Sequence, residues 1–184
     1  MKVFRKIKEI ETITQEQLID ITDHINLFIK ETGIRNGTLI VQTLHTTMGL
    51  IIQELTEPRL CRDIIKHLNC IVSQKVEDYE HNDIDKRPEV IDKINEPLNG
   101  KAHIQSLLLD QQLFLDIYDN KLTLGKWQRI GLLELDGPRE NRSFFLKAWE
   151  DTGALKLNYW IDGRFYPVKR PLKLSNLILK NRNF

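Results

Sequence analysis

The chain predicts an α+β fold with a mostly antiparallel sheet system. Two amphipathic helical patterns stand in the first half, and strand-like runs crowd the second half. Asp119-Asn120 and Asp162-Gly163 are tight-turn pairs that fold neighbouring strands back on one another. Helices first and strands later, rather than in alternation, argues against a parallel α/β sheet. Residues 1–150 are expected to form the α+β domain. Residues 151–184 are expected to form a C-terminal extension, a hairpin plus a basic tail, packed on or near it.

Val3–Ile10 reads as a first strand with imperfect alternation. Thr14-Gln-Glu-Gln17 has the form of a capping box. Leu18, Ile21, Ile25, Phe28 and Ile29 then recur at helical spacing to about Lys30. Gly33 and Asn36-Gly37 punctuate that helix. Thr38–Leu44 is β-branched and apolar, a strand. Gly49 marks a bend or bulge within the continuing strand, or a close backbone approach. Thr56 is the expected cap of a second helix with Pro58 in its first turn, and Leu60, Ile64, Leu68, Ile71 and Val72 form its apolar stripe. Glu77–Asp85 is an acidic loop. Arg87–Gly100 is either irregular or a short helix around Glu89–Asn95. Ala102–Leu109 favours a short helix. Leu113–Tyr118, Lys121–Leu124, Trp127–Asp136 and Ser143–Trp149 are successive strands, and Leu155–Val168 is a hairpin about Asp162-Gly163. The tail from Lys169 carries a short apolar run, Leu172–Leu179, that docks as a helix or strand or stays loose.

At 184 residues with 41% hydrophobic composition the chain is long enough to bury a core without staples. A formal net charge of +1 gives no global basic field for nucleic acid. The basic tail Lys169–Arg182 has only Phe184 as an aromatic neighbour, so nucleic acid is not an expected partner. No run of 18 apolar residues exists, so no membrane span is expected. Met1–Lys8 is basic but leads into no apolar run, so it does not read as a signal peptide. Cys61 and Cys70 stand nine positions apart in one helical pattern, about 13 Å. That is too far for a disulfide, and reduced thiols suggest the cytoplasm.

Three histidines fall outside the two regular amphipathic helices: His45, His81 and His103, each among small or polar residues. Neutral imidazoles are the usual zinc ligands, and catalytic sites use three protein ligands with an open position. The bland alternative is three polar residues bonded to loop backbone. His24 and His67 lie on helices and read as surface or boundary residues. Glu54, Asp83 and Glu134 are carboxylates able to orient those imidazoles or move a proton. Glu134 interrupts the apolar run Ile130–Leu135, where a charge must be paired or face outward. Arg139 follows the turn Asp136-Gly137-Pro138, where a guanidinium meets a phosphate, a carboxylate or solvent. No phosphate-binding glycine loop, dinucleotide fingerprint or serine nucleophile elbow is present.

Four segments occur in a telling order: His45-Thr-Thr-Met-Gly-Leu, Tyr79-Glu-His-Asn-Asp83, Ala102-His-Ile-Gln-Ser-Leu-Leu, and Gly125-Lys-Trp-Gln-Arg-Ile-Gly-Leu-Leu-Glu-Leu-Asp-Gly-Pro-Arg139. Together they resemble the YjbQ-like family, the secondary thiamine-phosphate synthase proteins, over the chain to about Trp149. The resemblance implies a β-sandwich or barrel with two main helices, a homotrimer, and weak thiamine-phosphate synthase activity on a small phosphorylated substrate. It implies that His45, His81 and His103 hold a divalent metal, Zn²⁺ or Mg²⁺. Glu134 and Asp83 would be catalytic, and Thr46, Thr47, Trp127, Gln128 and Arg139 would bind substrate. Glu54 matches a further recurrent position. A non-catalytic homotrimeric ligand-binding or structural protein and a metal-dependent phosphate-ester hydrolase are the alternatives. The chain departs from the family pattern at Met48, at Gln53, in the longer segment Ile84–Lys101, and in its last 35 or so residues.

Overall fold

A computed structural model describes residues 2–151 and the backbone of Asn158–Ile161 and Arg164–Pro167. The chain divides into two units, Met1–Glu150 and Asp151–Phe184.

In the first unit the strands are β1 (Val3–Ile10), β2 (Gln17–Asp20), β3 (Gly37–Thr43), β4 (Met48–Gln53), β5 (Gln112–Tyr118), β6 (Lys121–Leu122), β7 (Arg129–Glu134) and β8 (Arg142–Glu150). The helices are α1 (Thr22–Thr32), α2 (Pro58–Ile71) and α3 (Gly100–Ser106), with three single 3₁₀ turns between Val76 and Lys86. The order β1-β8-β3-β5-β6 makes one antiparallel sheet and β2-β7-β4 a second. The fold is α+β, mostly antiparallel, with two packed sheets. In the second unit, β9 (Asn158–Ile161) pairs antiparallel with β10 (Arg164–Pro167). The Asp162-Gly163 turn and the tail from Lys169 lie outside the described residues.

The main core joins the two sheets and α1. Leu39 and Val41 of β3, Leu113, Leu115 and Ile117 of β5, and Phe144, Leu146 and Ala148 of β8 meet Met48, Leu50, Ile130 and Leu132 of the smaller sheet. Ile21 and α1's Ile25, Phe28 and Ile29 close one side. Strict alternation in β5 and β8 puts one face inward and the other out. β7 is different, with Ile130, Leu132 and Glu134 facing this core. Leu133, together with Leu135 just beyond the strand, packs a second cluster with Leu68 of α2 and Ala102 of α3. Covered on both faces, β7 loses the alternation that marks a half-exposed strand.

Several expectations need correction. The first helix does not run from Leu18. Gln17–Asp20 is a strand paired with β7, and the helix begins at Thr22, whose N–H is accepted by the Asp20 carboxylate. The capping-box residue Gln17 does accept from Thr14 N and Ile13 N, but this closes a turn in which Glu16 has φ 57°. The cap of α2 is Glu57, not Thr56. Its carboxylate accepts from Arg59 N and Leu60 N. Of the two readings for Gly49, the close approach holds and the continuing strand does not. The chain turns at Leu44–Thr47 and enters the other sheet, where a Cβ at Gly49 would lie 2.4 Å from the Leu109 side chain. The expected strand Trp127–Asp136 is limited to Arg129–Glu134. Of the two readings for Arg87–Gly100, the irregular one holds for residues 87–99.

Candidate functional site

Glu134 and Arg142 close one end of the core between the sheets. β7 delivers Glu134 in phase with Ile130 and Leu132, and β8 delivers Arg142 in phase with Phe144 and Leu146. Glu134 is 0% exposed and Arg142 8%. Two buried charges are tolerable only when paired and bonded. The Arg142 Nε donates to Glu134 Oε2 in a very short contact, and Nη2 donates to Glu134 Oε1 at 3.1 Å. The same guanidinium donates to Thr47 Oγ1 at 3.0 Å and faces His45 Nδ1 at 3.1 Å. Glu134 Oε1 also accepts from Asp136 N at 2.6 Å. Both Glu134 oxygens are therefore engaged.

His45 stands in the turn between β3 and β4. Its other nitrogen, Nε2, accepts from Ser143 N at 3.0 Å and lies 3.2 Å from the Ser143 hydroxyl. A neutral imidazole accepts at one nitrogen only, so the Arg142 and Ser143 N–H donors cannot both be satisfied in one tautomer. Burial, then the Arg142 charge, hold the His45 pKa below its ordinary value, and Glu134 opposes them. The ring is neutral at neutral pH.

A second half of the cluster runs through Asp136. Its Oδ2 accepts from Arg139 Nη2 at 2.8 Å and Asn99 Nδ2 at 2.9 Å, and lies 3.9 Å from Arg142 Nη2. Asn99 precedes α3, which carries His103. The Ser106 hydroxyl at the end of α3 donates to Thr46 O at 2.6 Å, tying this helix to the His45 turn. The His103 and His81 ring centroids are 4.6 Å apart, edge to face at 66°. Burial, then His81, then Arg87 lower the His103 pKa, and Asp136 opposes them. His103 is also neutral at neutral pH. Asn99 Oδ1 is buried without a partner among the described residues.

The expected site residues are thus divided. His45, Thr47, Glu134 and Arg139 belong to one continuous network, Thr46 is exposed beside it, and His103 of α3 adjoins His81 of the 3₁₀ turn Glu80–Asn82. Asp83 turns to solvent and pairs with Lys86 Nζ at 2.6 Å. Trp127 and Gln128 lie just before β7, whose first residue, Arg129, is about 17 Å along the strand from Glu134. Trp127 is 59% exposed, and Gln128 Oε1 accepts from Gly125 N. Glu54 follows Gln53, which pairs with Arg129, so it lies at that far end too. Met48, where the chain departs from the family pattern, is 0% exposed in the main core. Among the described residues no three His, Cys, Asp or Glu side chains form a group able to hold a metal.

Arg142 and Asp136 were missed in the sequence. Extending the Ser143–Trp149 strand one residue back puts Arg142 on the buried face with Phe144, Leu146 and Ala148, which is the signal a period-of-two reading offers.

The family profile described as "UPF0047 protein YjbQ-like" matches residues 6–151. This chain belongs to the YjbQ-like UPF0047 family. The UPF0047 protein of Archaeoglobus fulgidus is 33% identical over 133 residues, covering 72% of this chain and 92% of that protein. The UPF0047 protein YugU of Bacillus subtilis is 30% identical over 142 residues, covering 77% and 96%. A crystal structure from Sulfolobus solfataricus P2, titled a YbjQ-like protein of unknown function, superposes with TM-score 0.68 at 28% identity, covering 82% and 99%. A hypothetical protein from Aeropyrum pernix K1 gives 0.67 at 27% identity, covering 82% and 100%. The YjbQ-like match ends at residue 151, where the second unit begins. No helix among the described residues is long and apolar enough to cross a membrane.

Proposed function

We propose that this YjbQ-like chain acts on a small phosphorylated molecule at the His45–Arg142–Asp136–His103 cluster, with a divalent ion held by His81 and His103. The observation that carries this reading is the adjacency of those two rings, 4.6 Å between centroids, beside a buried ionic network. His103 is held in the neutral form that a metal requires. Imidazole ligands favour Zn²⁺ over Mg²⁺.

In this reading His81 and His103 would be two ligands, and the third, His45, is hydrogen-bonded to Arg142 and Ser143. His45 joins the set only by releasing Ser143 or Arg142. A bound ion would supply Lewis-acid polarisation of a phosphate oxygen. The chain's own groups do the rest. Arg139, half-exposed and oriented by Asp136, meets the anion. Glu134 has no free oxygen, so it acts by fixing Arg142 and, through it, His45. Once Ser143 or Arg142 releases it, neutral His45 has a lone pair that accepts a proton. This assigns to His45 the base role expected of Glu134 or Asp83.

Two activities come first in the assay: joining a pyrimidine pyrophosphate to a thiazole phosphate with release of pyrophosphate, and hydrolysis of a phosphate ester. The double engagement of His45 favours a second reading, a non-catalytic ligand-binding protein. Self-association as a homotrimer belongs to either reading and is measured by light scattering. Metal analysis of the wild type beside His103→Ala and His45→Ala tests the ion, and turnover in the two assays separates the catalytic reading from the non-catalytic one. The first reading expects metal in the wild type and its loss in His103→Ala. Equal metal content in all three removes the ion from the proposal.

A further inference from the structure

The end of β7 remote from Glu134 opens into a cleft of about 470 Å³ between α1, the β5–β6 turn and the start of β7. That volume lies in the ordinary range of small-ligand sites, roughly 300–1,000 Å³. Its lining has a consistent chemistry. Leu122 and Leu124 form an apolar surface, backed by the main core. Lys30, Lys121 and Arg129 supply three positive charges, and among the described residues no carboxylate lines the cleft. Among the described residues neither lysine pairs with a carboxylate.

Arg129 is fixed from behind. Its Nε donates to Asp20 Oδ2 at 2.6 Å and its Nη2 to Asp23 Oδ1 at 3.3 Å. Those contacts orient the guanidinium and, among the described residues, leave Nη1 without a hydrogen-bond partner. They also offset part of its charge, so the two lysines carry most of the local field. Asn26 contributes an amide on the exposed face of α1.

We infer that this cleft is a second ligand site, distinct from the histidine cluster, for a small anion with an apolar body: an aromatic or aliphatic phosphate or carboxylate. A bare inorganic anion would use the charges and waste the leucine surface. A neutral apolar molecule would leave two ammonium groups without a partner. Only a ligand carrying both features uses the whole lining.

The test is an NMR titration of the full chain with phenyl phosphate, inorganic phosphate and phenol in parallel. Phenyl phosphate shifts the amides of Asn26, Asn120, Leu122, Leu124 and Gln128. Inorganic phosphate and phenol bind at least about tenfold more weakly, the loss expected for one strong contact. The double variant Lys30→Ala with Lys121→Ala weakens phenyl phosphate by about tenfold or more, while Lys30→Arg with Lys121→Arg retains it. Both lysines are solvent-facing, so these variants fold. His45→Ala leaves this binding unchanged, which separates this site from the histidine cluster. Shifts confined to the His45 and Ser143 end overturn the inference. So does undiminished binding in the double alanine variant, or inorganic phosphate binding as tightly as phenyl phosphate.

Discussion

Replacing Arg142 by alanine tests the buried network at its centre. The change removes two contacts to Glu134, one to the Thr47 hydroxyl and one to His45 Nδ1. What remains is a carboxylate at 0% exposure with one donor, the Asp136 N–H at 2.6 Å. Removing one partner of a buried ion pair costs about 3–5 kcal/mol, most of it from the charge left behind. Removing both partners for apolar groups of similar size is close to neutral or stabilising. The expected result is therefore asymmetric. Arg142→Ala lowers stability by about 3–5 kcal/mol, and Glu134→Leu combined with Arg142→Leu loses much less. Urea denaturation of the three proteins, at matched concentration, measures this. His45 gives an independent reading by NMR titration. Loss of the Arg142 charge raises its pKa, and Glu134→Gln, which removes the opposing charge, lowers it. A cost below about 1 kcal/mol for Arg142→Ala, with an unmoved His45, would refute the claim that this pair holds the site together.

Further expectations rest on other parts of the molecule. His45 and His103 are both held below their ordinary 6.5, so just below that pH the unfolded chain binds more protons than the folded one. Their stabilisation is complete above 6.5 and is lost as pH falls through the folded values. Urea midpoints at about pH 7.5 and about pH 5.5 in chelator should differ, and His45→Gln should narrow the gap; equal wild-type midpoints sink the idea. Gly49→Ala drives a methyl into Leu109 and should cost about 1–3 kcal/mol by thermal melting, with an unchanged Tm counting against the packing described. Glu57→Ala should lower the melting temperature while Thr56→Ala leaves it in place, because Glu57 caps α2; the reverse order would restore Thr56 as the cap. Asn120 has φ 63°, so Asn120→Val should destabilise by about 1–2 kcal/mol, and Asn120→Gly should be tolerated.

Where one face of a strand meets solvent, the alternation was readable, as in Leu113–Tyr118 and Ser143–Trp149. Where both faces are covered it was not. Leu18 packs on the α2–α3 cluster and Ile19 on the main core, so Gln17–Asp20 offers no period of two. Leu18, Ile21 and Ile25 fit helical spacing just as well, and sheet pairing with β7 decides between them. The site divides along the same line. His45 and Glu134 are visible as polar residues interrupting apolar runs, which burial must explain. Which end of the sheet they occupy is not visible, because sequence distance carries no such information. Trp127, Gln128 and Glu134 lie within one short segment, yet β7 separates them by most of its length. Register resolves it. Met48 opposes Glu134 and Gln53 opposes Arg129, so β4 brings the His45 turn to Glu134 and carries Glu54 away toward Trp127. A strand that links two clusters of polar residues also keeps them apart, and here it gives the chain two chemically different ends.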